Sequence, residues 1–185
     1  MLAHIPNLIS LARLLMVPLV VYLVLSERMV AGFWLFIAAG ISDAIDGYIA
    51  KRFDVSSPLG RYLDPLADKA LLVALFVLGG YMDFLPDWLV ILVVFRDAMI
   101  VGGAILFYTF DHPPTLPPLI VSKVNTALQI VLVAAALAFR GYGLDLAFVQ
   151  TVLEYLVAAT TLASGVAYLV KWGRLAATFE GDRNP

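Results

Sequence analysis

Six apolar stretches of about 20 residues each, broken only by short polar turns, take up most of the 185 residues of this chain. A helix of about 20 residues spans the hydrocarbon core of a bilayer, and six of them use about 120 residues, leaving only short connections. Composition supports lipid as the solvent. The chain is 62% hydrophobic and 14% charged, with a mean hydropathy of +0.94. Globular domains average about 45–50% apolar and about 25% charged residues, so a water-soluble chain this small could not hide the excess. The fold class expected is an all-α integral membrane protein with six transmembrane helices in a single domain over residues 1–185.

The stretches run over about Ile5 to Leu25, Met29 to Arg52, Gly60 to Met82, Trp88 to Tyr108, Leu119 to Phe139 and Leu144 to Trp172. The first carries no basic n-region or cleavage site and reads as a retained membrane segment. The last exceeds the hydrocarbon thickness, which tilt or an exposed end absorbs. With both termini on one side, that side holds Lys51, Arg52, Arg61, Lys123, Lys171, Arg174 and Arg183, against Arg28 and Arg140 opposite. The asymmetry places both termini, and the junction of the second and third helices, in the cytoplasm. The net charge of −2 gives no basic excess for nucleic acid, and the absence of cysteine removes disulfides, thiol nucleophiles and cysteine-bound zinc.

Charge inside spanning helices is expensive and marks candidate chemistry. Asp43 and Asp46 are three apart on the second helix, and Asp64 and Asp68 four apart on the third. Either spacing puts a pair on one helix face, and a short turn lets the two pairs meet. Four crowded carboxylates repel in low dielectric, whereas one or two divalent cations reverse the balance. Oxygen-only ligands point to Mg²⁺, with Mn²⁺ as the alternative. Two other readings stand beside this one. The aspartates could pair with Lys51, Arg52, Arg61 and Lys69 as structural salt bridges, or line a cation pathway in a transporter. Gly47, Ala50 and Gly60 are each explicable as helix-packing contacts. Beside a metal patch they leave room for a nucleotide diphosphate at the membrane surface.

The stretch DAIDGYIAKRFDVSSPLGRYLDPLAD resembles the signature of the CDP-alcohol phosphotransferase family, D-x2-D-G-x2-A-R-x8-G-x3-D-x3-D, with every spacing matched. Asp43, Asp46, Gly47, Ala50, Lys51, Gly60, Asp64 and Asp68 fill it. Lys51 is the one departure; it keeps the charge of the usual arginine but loses its two-pronged fork. IPNLISLARLLMVP is similar to the opening of bacterial phosphatidylglycerophosphate synthases and CMP-forming cardiolipin synthases. FRDAMI and SKVNTALQIVLVAAALA resemble the cardiolipin synthases most.

The resemblance implies a six-helix enzyme of the bacterial inner membrane, a homodimer, with its site facing the cytoplasm. It implies CDP-diacylglycerol as donor and phosphatidylglycerol as acceptor, giving cardiolipin and CMP, with glycerol 3-phosphate as the alternative acceptor. In its terms Asp43, Asp46 and Asp64 bind one metal ion, and Asp43, Asp64 and Asp68 a second. Asp43, Asp46, Gly47, Ala50, Lys51 and Gly60 hold the CDP moiety, and Asp68 is the general base.

Arg13, Arg96 and Lys123 remain in or beside apolar segments. With Asn125 they are candidates for holding the acceptor's phosphate. The competing reading has Arg96 satisfied by Asp97 or by another helix and Arg13 reaching out to the interface. Ser122, Asn125 and Gln129 then line the same region or serve as interhelical hydrogen bonds. His4 and His112 read as solvated. Glu154 and Trp34 have no assignable role from sequence, and Trp88 and Trp172 fit an aromatic belt.

Overall fold

The computed structural model describes the backbone of residues 5–53, 60–109 and 119–181, and the side chains of residues 12, 14–42, 69–103 and 119–174. The described residues form six helices: α1 (Ile5–Leu25), α2 (Met29–Phe53), α3 (Gly60–Tyr81), α4 (Asp87–Thr109), α5 (Ile120–Tyr142) and α6 (Ala147–Gly181). The apolar stretches foresee each of them. The main difference is α6, which continues from Trp172 to Gly181 over GRLAATFEG. Hydropathy marks what lipid can cover, whereas the backbone ladder runs on through helix-forming residues with no proline to stop it. Its 35 residues span about 52 Å, well beyond a hydrocarbon core.

Packing closes the helices into a ring in the order α2, α1, α3, α4, α6, α5 and back to α2, with α3 and α5 also touching across it. The core runs through this ring on Val20 and Val24 of α1, Phe36 of α2, Leu75 and Phe76 of α3, Leu89 and Val93 of α4, Leu132 and Leu137 of α5, and Val157 of α6. The outside is equally apolar: Phe148, Ile120, Ile91, Phe95 and Leu15 are all more than three-fifths exposed. A soluble monomer rarely shows so much apolar surface, and lipid covers it without cost. Among the described residues, α5 and the Ala147–Arg174 part of α6 are each long and apolar enough to cross a membrane alone. Shorter apolar pieces are Leu14–Leu25, Met29–Ser42 and Lys69–Tyr81.

One end of the ring is closed by three similar turns. Helix α1 ends with the Arg28 amide bonded to the Leu23 carbonyl and the Glu27 amide to the Val24 carbonyl, both at 2.9 Å. Helix α3 ends alike, with Phe84 on Gly79 at 2.9 Å and Asp83 on Gly80 at 3.2 Å. At the end of α5, Leu144 bonds Phe139 at 2.9 Å. This helix stop needs a left-handed residue after the last turn. Gly143 supplies it freely at φ 65°, while Glu27 (φ 57°) and Asp83 (φ 55°) adopt it against their side chains. Arg140 donates to the Met82 carbonyl (3.0 Å) and Gln150 to that of Phe84 (2.7 Å), tying the turns together. Gln150 also bonds Glu154 at 2.9 Å, which gives that membrane glutamate its partner. Trp34, in the second turn of α2, donates to the hydroxyl of Tyr142, the last residue of α5, at 3.0 Å, an α2–α5 contact at the same end of the ring.

The α2–α5 contact is closest at Gly141. A Cβ there would lie 2.9 Å from the Val30 backbone nitrogen and 3.2 Å from the Met29 carbonyl carbon. Backbone cannot rotate aside as a side chain can, so overpacking of about 1–3 kcal/mol outweighs the gain in helix propensity of about 1 kcal/mol. Gly141→Ala is therefore expected to lower the melting temperature of the purified protein by several degrees. Gly102→Ala, where a Cβ meets nothing within 4 Å, is expected to raise it. Thermal unfolding of the two variants in one detergent checks the opposite signs.

Candidate functional site

The signature falls on the last half of α2 and the first turns of α3, so each aspartate pair stands one turn apart on a continuous helix. The side chains of Asp43, Asp46, Gly47, Ala50, Lys51, Gly60, Asp64 and Asp68 lie outside the described residues, as does that of Arg13 on α1. Residues 54–59, His4 and His112 also lie outside them.

What the structure does show begins one residue after Asp68. Lys69 turns its ammonium to the carboxylate of Asp97 on α4, Nζ to Oδ2 at 2.6 Å. One alternative reading of the sequence makes Lys69 a counter-ion for the motif aspartates, whose side chains lie outside the described residues; among the described residues its partner is Asp97. The other oxygen of Asp97 accepts from Nη1 of Arg96, also at 2.6 Å. Arg96 is 2% exposed and Asp97 5%. Nη2 of Arg96 donates to the hydroxyl of Ser122 on α5 (2.6 Å) and to that of Ser164 on α6. One guanidinium and one carboxylate thus bind four helices to each other.

The polar seam continues along α5. Ser122, Asn125 and Gln129 follow at helical spacing and lead into the apolar stripe Leu132, Val133, Ala136 and Leu137. Asn125 is fully buried, and its Oδ1 accepts from the hydroxyls of Thr160 and Thr161 on α6, both at 2.9 Å. Three buried N–H groups have no partner among the described residues: Nε of Arg96, Nδ2 of Asn125 and Nε2 of Gln129. All three are donors. Leaving a buried donor unmade costs about 1–3 kcal/mol, so the seam is short of acceptor atoms and suits an oxygen-rich ligand. Lys123, the residue after Ser122, is exposed, forms no ion pair with a described residue and makes none of these hydrogen bonds.

Of the candidates for the acceptor's phosphate, then, the structure places Arg96 and Asn125 on one seam. It gives Arg96 the satisfied contacts of the competing reading while leaving one edge of the guanidinium open. Thr160, Thr161 and Ser164 escape a sequence reading. The only signal is TTLASG, three hydroxyls within one turn of an otherwise apolar helix. Trp172 stacks near Tyr168 at 5.6 Å and closes on Gly103 of α4, where a Cβ would run into its ring. Its place is inside the α4–α6 contact more than at a helix end.

Six helices with an apolar exterior, a carboxylate motif on two of them and a buried cationic cluster one residue beyond it define a helical membrane protein. The chain belongs to the CDP-alcohol phosphatidyltransferase family, whose model matches residues 3–167. It is 36% identical to the CDP-diacylglycerol–glycerol-3-phosphate 3-phosphatidyltransferase 1, chloroplastic, of Oryza sativa subsp. japonica, over 93% of this chain and 58% of the rice protein. It is also 36% identical to the cardiolipin synthases (CMP-forming) of Rattus norvegicus and Homo sapiens, over 89% of this chain and 60% of each of theirs. The chain therefore spans about three-fifths of the length of these relatives. Membership of an enzyme family sets aside the transporter reading of the acidic patch.

Proposed function

We propose that the protein transfers a phosphatidyl group from CDP-diacylglycerol to phosphatidylglycerol, releasing CMP and forming cardiolipin. The observation that carries most weight is the eight-position motif, every spacing kept and Lys51 the one changed residue, on α2 and α3 of a member of this family. The segments FRDAMI and SKVNTALQIVLVAAALA favour this acceptor. Glycerol 3-phosphate is the second reading, favoured by the rice relative at the same identity.

In the transfer, the acceptor hydroxyl attacks the phosphorus nearer the diacylglycerol, and the bond from that phosphorus to the oxygen of CMP breaks. Asp68 takes the hydroxyl proton. Asp43, Asp46, Gly47, Ala50, Lys51 and Gly60 hold the CDP moiety. Arg96 presents its open Nε edge to the acceptor's phosphate, with Asn125 beside it and Arg13 and Lys123 adding charge. The donor set of Asp43, Asp46, Asp64 and Asp68 is all hard oxygen, which fits one or two Mg²⁺ or Mn²⁺ ions. Bound there, such ions supply neutralisation of the diphosphate and of charge on the leaving group. The same reading makes all six helices transmembrane, places the chain in a bacterial inner membrane with both termini and the site cytoplasmic, and makes the working unit a homodimer.

The test is CMP release by the purified protein in vesicles, with CDP-diacylglycerol, Mg²⁺ or Mn²⁺, and each acceptor in turn. Release with phosphatidylglycerol, lost on chelating the metal, is the expected result. Release with glycerol 3-phosphate alone selects the second reading, and no release with any alcohol acceptor overturns both.

A further inference from the structure

We propose that Asp97 is a positioning residue for this transfer, a single carboxylate shared between Lys69 of α3 and Arg96 of α4 that sets the two helices in register. The proposal rests on the reading above for its link to catalysis, and on the geometry for the clamp itself. Both carboxylate oxygens are engaged at 2.6 Å, one by each cation. Such short charge-assisted contacts are directional as well as strong. Lys69 directly follows Asp68, so fixing its ammonium against α4 fixes the α3 backbone next to the proposed base. Arg96 has its Nη1 held by Asp97 and its Nη2 by Ser122 and Ser164, which settles which edge of the guanidinium remains open. One carboxylate therefore aligns the acceptor-side cation with the helix that carries the base.

A role in stability alone does not account for the composition of the cluster. Among the described residues it holds two cations and one anion, and an uncompensated charge in an apolar bundle works against folding. Lys69 is also the one member with substantial exposure, its side chain 36% accessible. Freed from Asp97, a long ammonium chain extends towards water, and α3 loses its polar tie to α4.

Asp97→Asn keeps the shape of the side chain but not its charge, and its amide nitrogen cannot accept from Lys69. Expected is a fall of about 30-fold in kcat/KM for the acceptor, with KM for CDP-diacylglycerol within about twofold of the wild type. Lys69→Met breaks the same bridge from the other end and leaves a neutral Arg96–Asp97 pair, so it serves if Asp97→Asn does not fold. The double variant should be no worse than the Asp97 variant alone. Because the chain contains no cysteine, spin labels on Val73→Cys of α3 and Val101→Cys of α4 report the register by electron–electron distance. That distance distribution should broaden or shift by about 2 Å or more in either bridge variant, on the scale of a one-residue helix rise. Unchanged distances, or equal losses for both substrates that track a lowered melting temperature, would overturn the proposal. A wild-type protein that releases no CMP would remove the catalytic reading instead, and the spin-label distances then decide the clamp alone.

Discussion

Asp68→Asn is expected to lose turnover by about 10³-fold or more while the protein still takes up CDP-diacylglycerol. Asparagine has the size and shape of aspartate but cannot accept the acceptor's proton at neutral pH. General-base catalysis by a placed carboxylate contributes about 10²–10⁴-fold, and Asp68 is also assigned to one of the two metal positions, so the loss falls towards the upper part of that range. Donor binding survives because the CDP-holding set of Asp43, Asp46, Gly47, Ala50, Lys51 and Gly60 is untouched. The measurement pairs CMP release with equilibrium binding of CDP-diacylglycerol in the presence of Mg²⁺. Retention of activity within tenfold would remove Asp68 from the base role. Loss of donor binding together with turnover would make it a metal ligand alone.

The helices were legible because lipid makes the code simple. A stretch of about 20 apolar residues has to be a helix, since no other open backbone is satisfied in hydrocarbon. The ends were less so where polarity and helicity part company. α5 continues through Arg140 and Gly141 to Tyr142, and stops where Gly143 turns left-handed; α6 continues past Trp172 because GRLAATFEG holds no proline and RLAATFE between its glycines sustains the ladder. The motif could be read from spacing alone, because all of its residues lie on two consecutive helices. The Arg96–Asp97 pair could be read as well, but the distant partners Lys69 and Ser164 could not. Arg96 and Ser164 are 68 positions apart and meet only because the ring sets α4 beside α6. Hydroxyls on a membrane helix also hide well: Thr160 bonds its own Leu156 carbonyl at 2.9 Å, so its presence in an apolar run raises no alarm. Lys69 is a further case. Sequence spacing gives no hint of its partner among the described residues, Asp97, which lies 28 positions on along the next helix.

Arg96→Met is expected to raise KM for the acceptor and to lower kcat/KM by about 100-fold, which corresponds to about 2.7 kcal/mol of lost transition-state binding. The size follows from what the guanidinium offers in a buried setting. A charge-assisted hydrogen bond contributes about 1.5–3 kcal/mol, and Nε is the guanidinium nitrogen of Arg96 with no partner among the described residues after Asp97, Ser122 and Ser164 are served. Methionine fills similar volume, and Asp97 keeps its partner in Lys69, so no buried charge is orphaned by the change. Arg96→Lys should retain more activity than Arg96→Met and less than the wild type, because an ammonium keeps the charge but cannot serve three protein partners and a phosphate at once. KM for CDP-diacylglycerol should stay within about twofold in both variants, since the donor set lies on α2 and α3. Steady-state CMP release over a range of each substrate separates the outcomes. A loss confined to the acceptor places its phosphate at Arg96. A loss shared equally by donor and acceptor, with a matching fall in melting temperature, would reduce Arg96 to the four-helix tie that its protein contacts already make it.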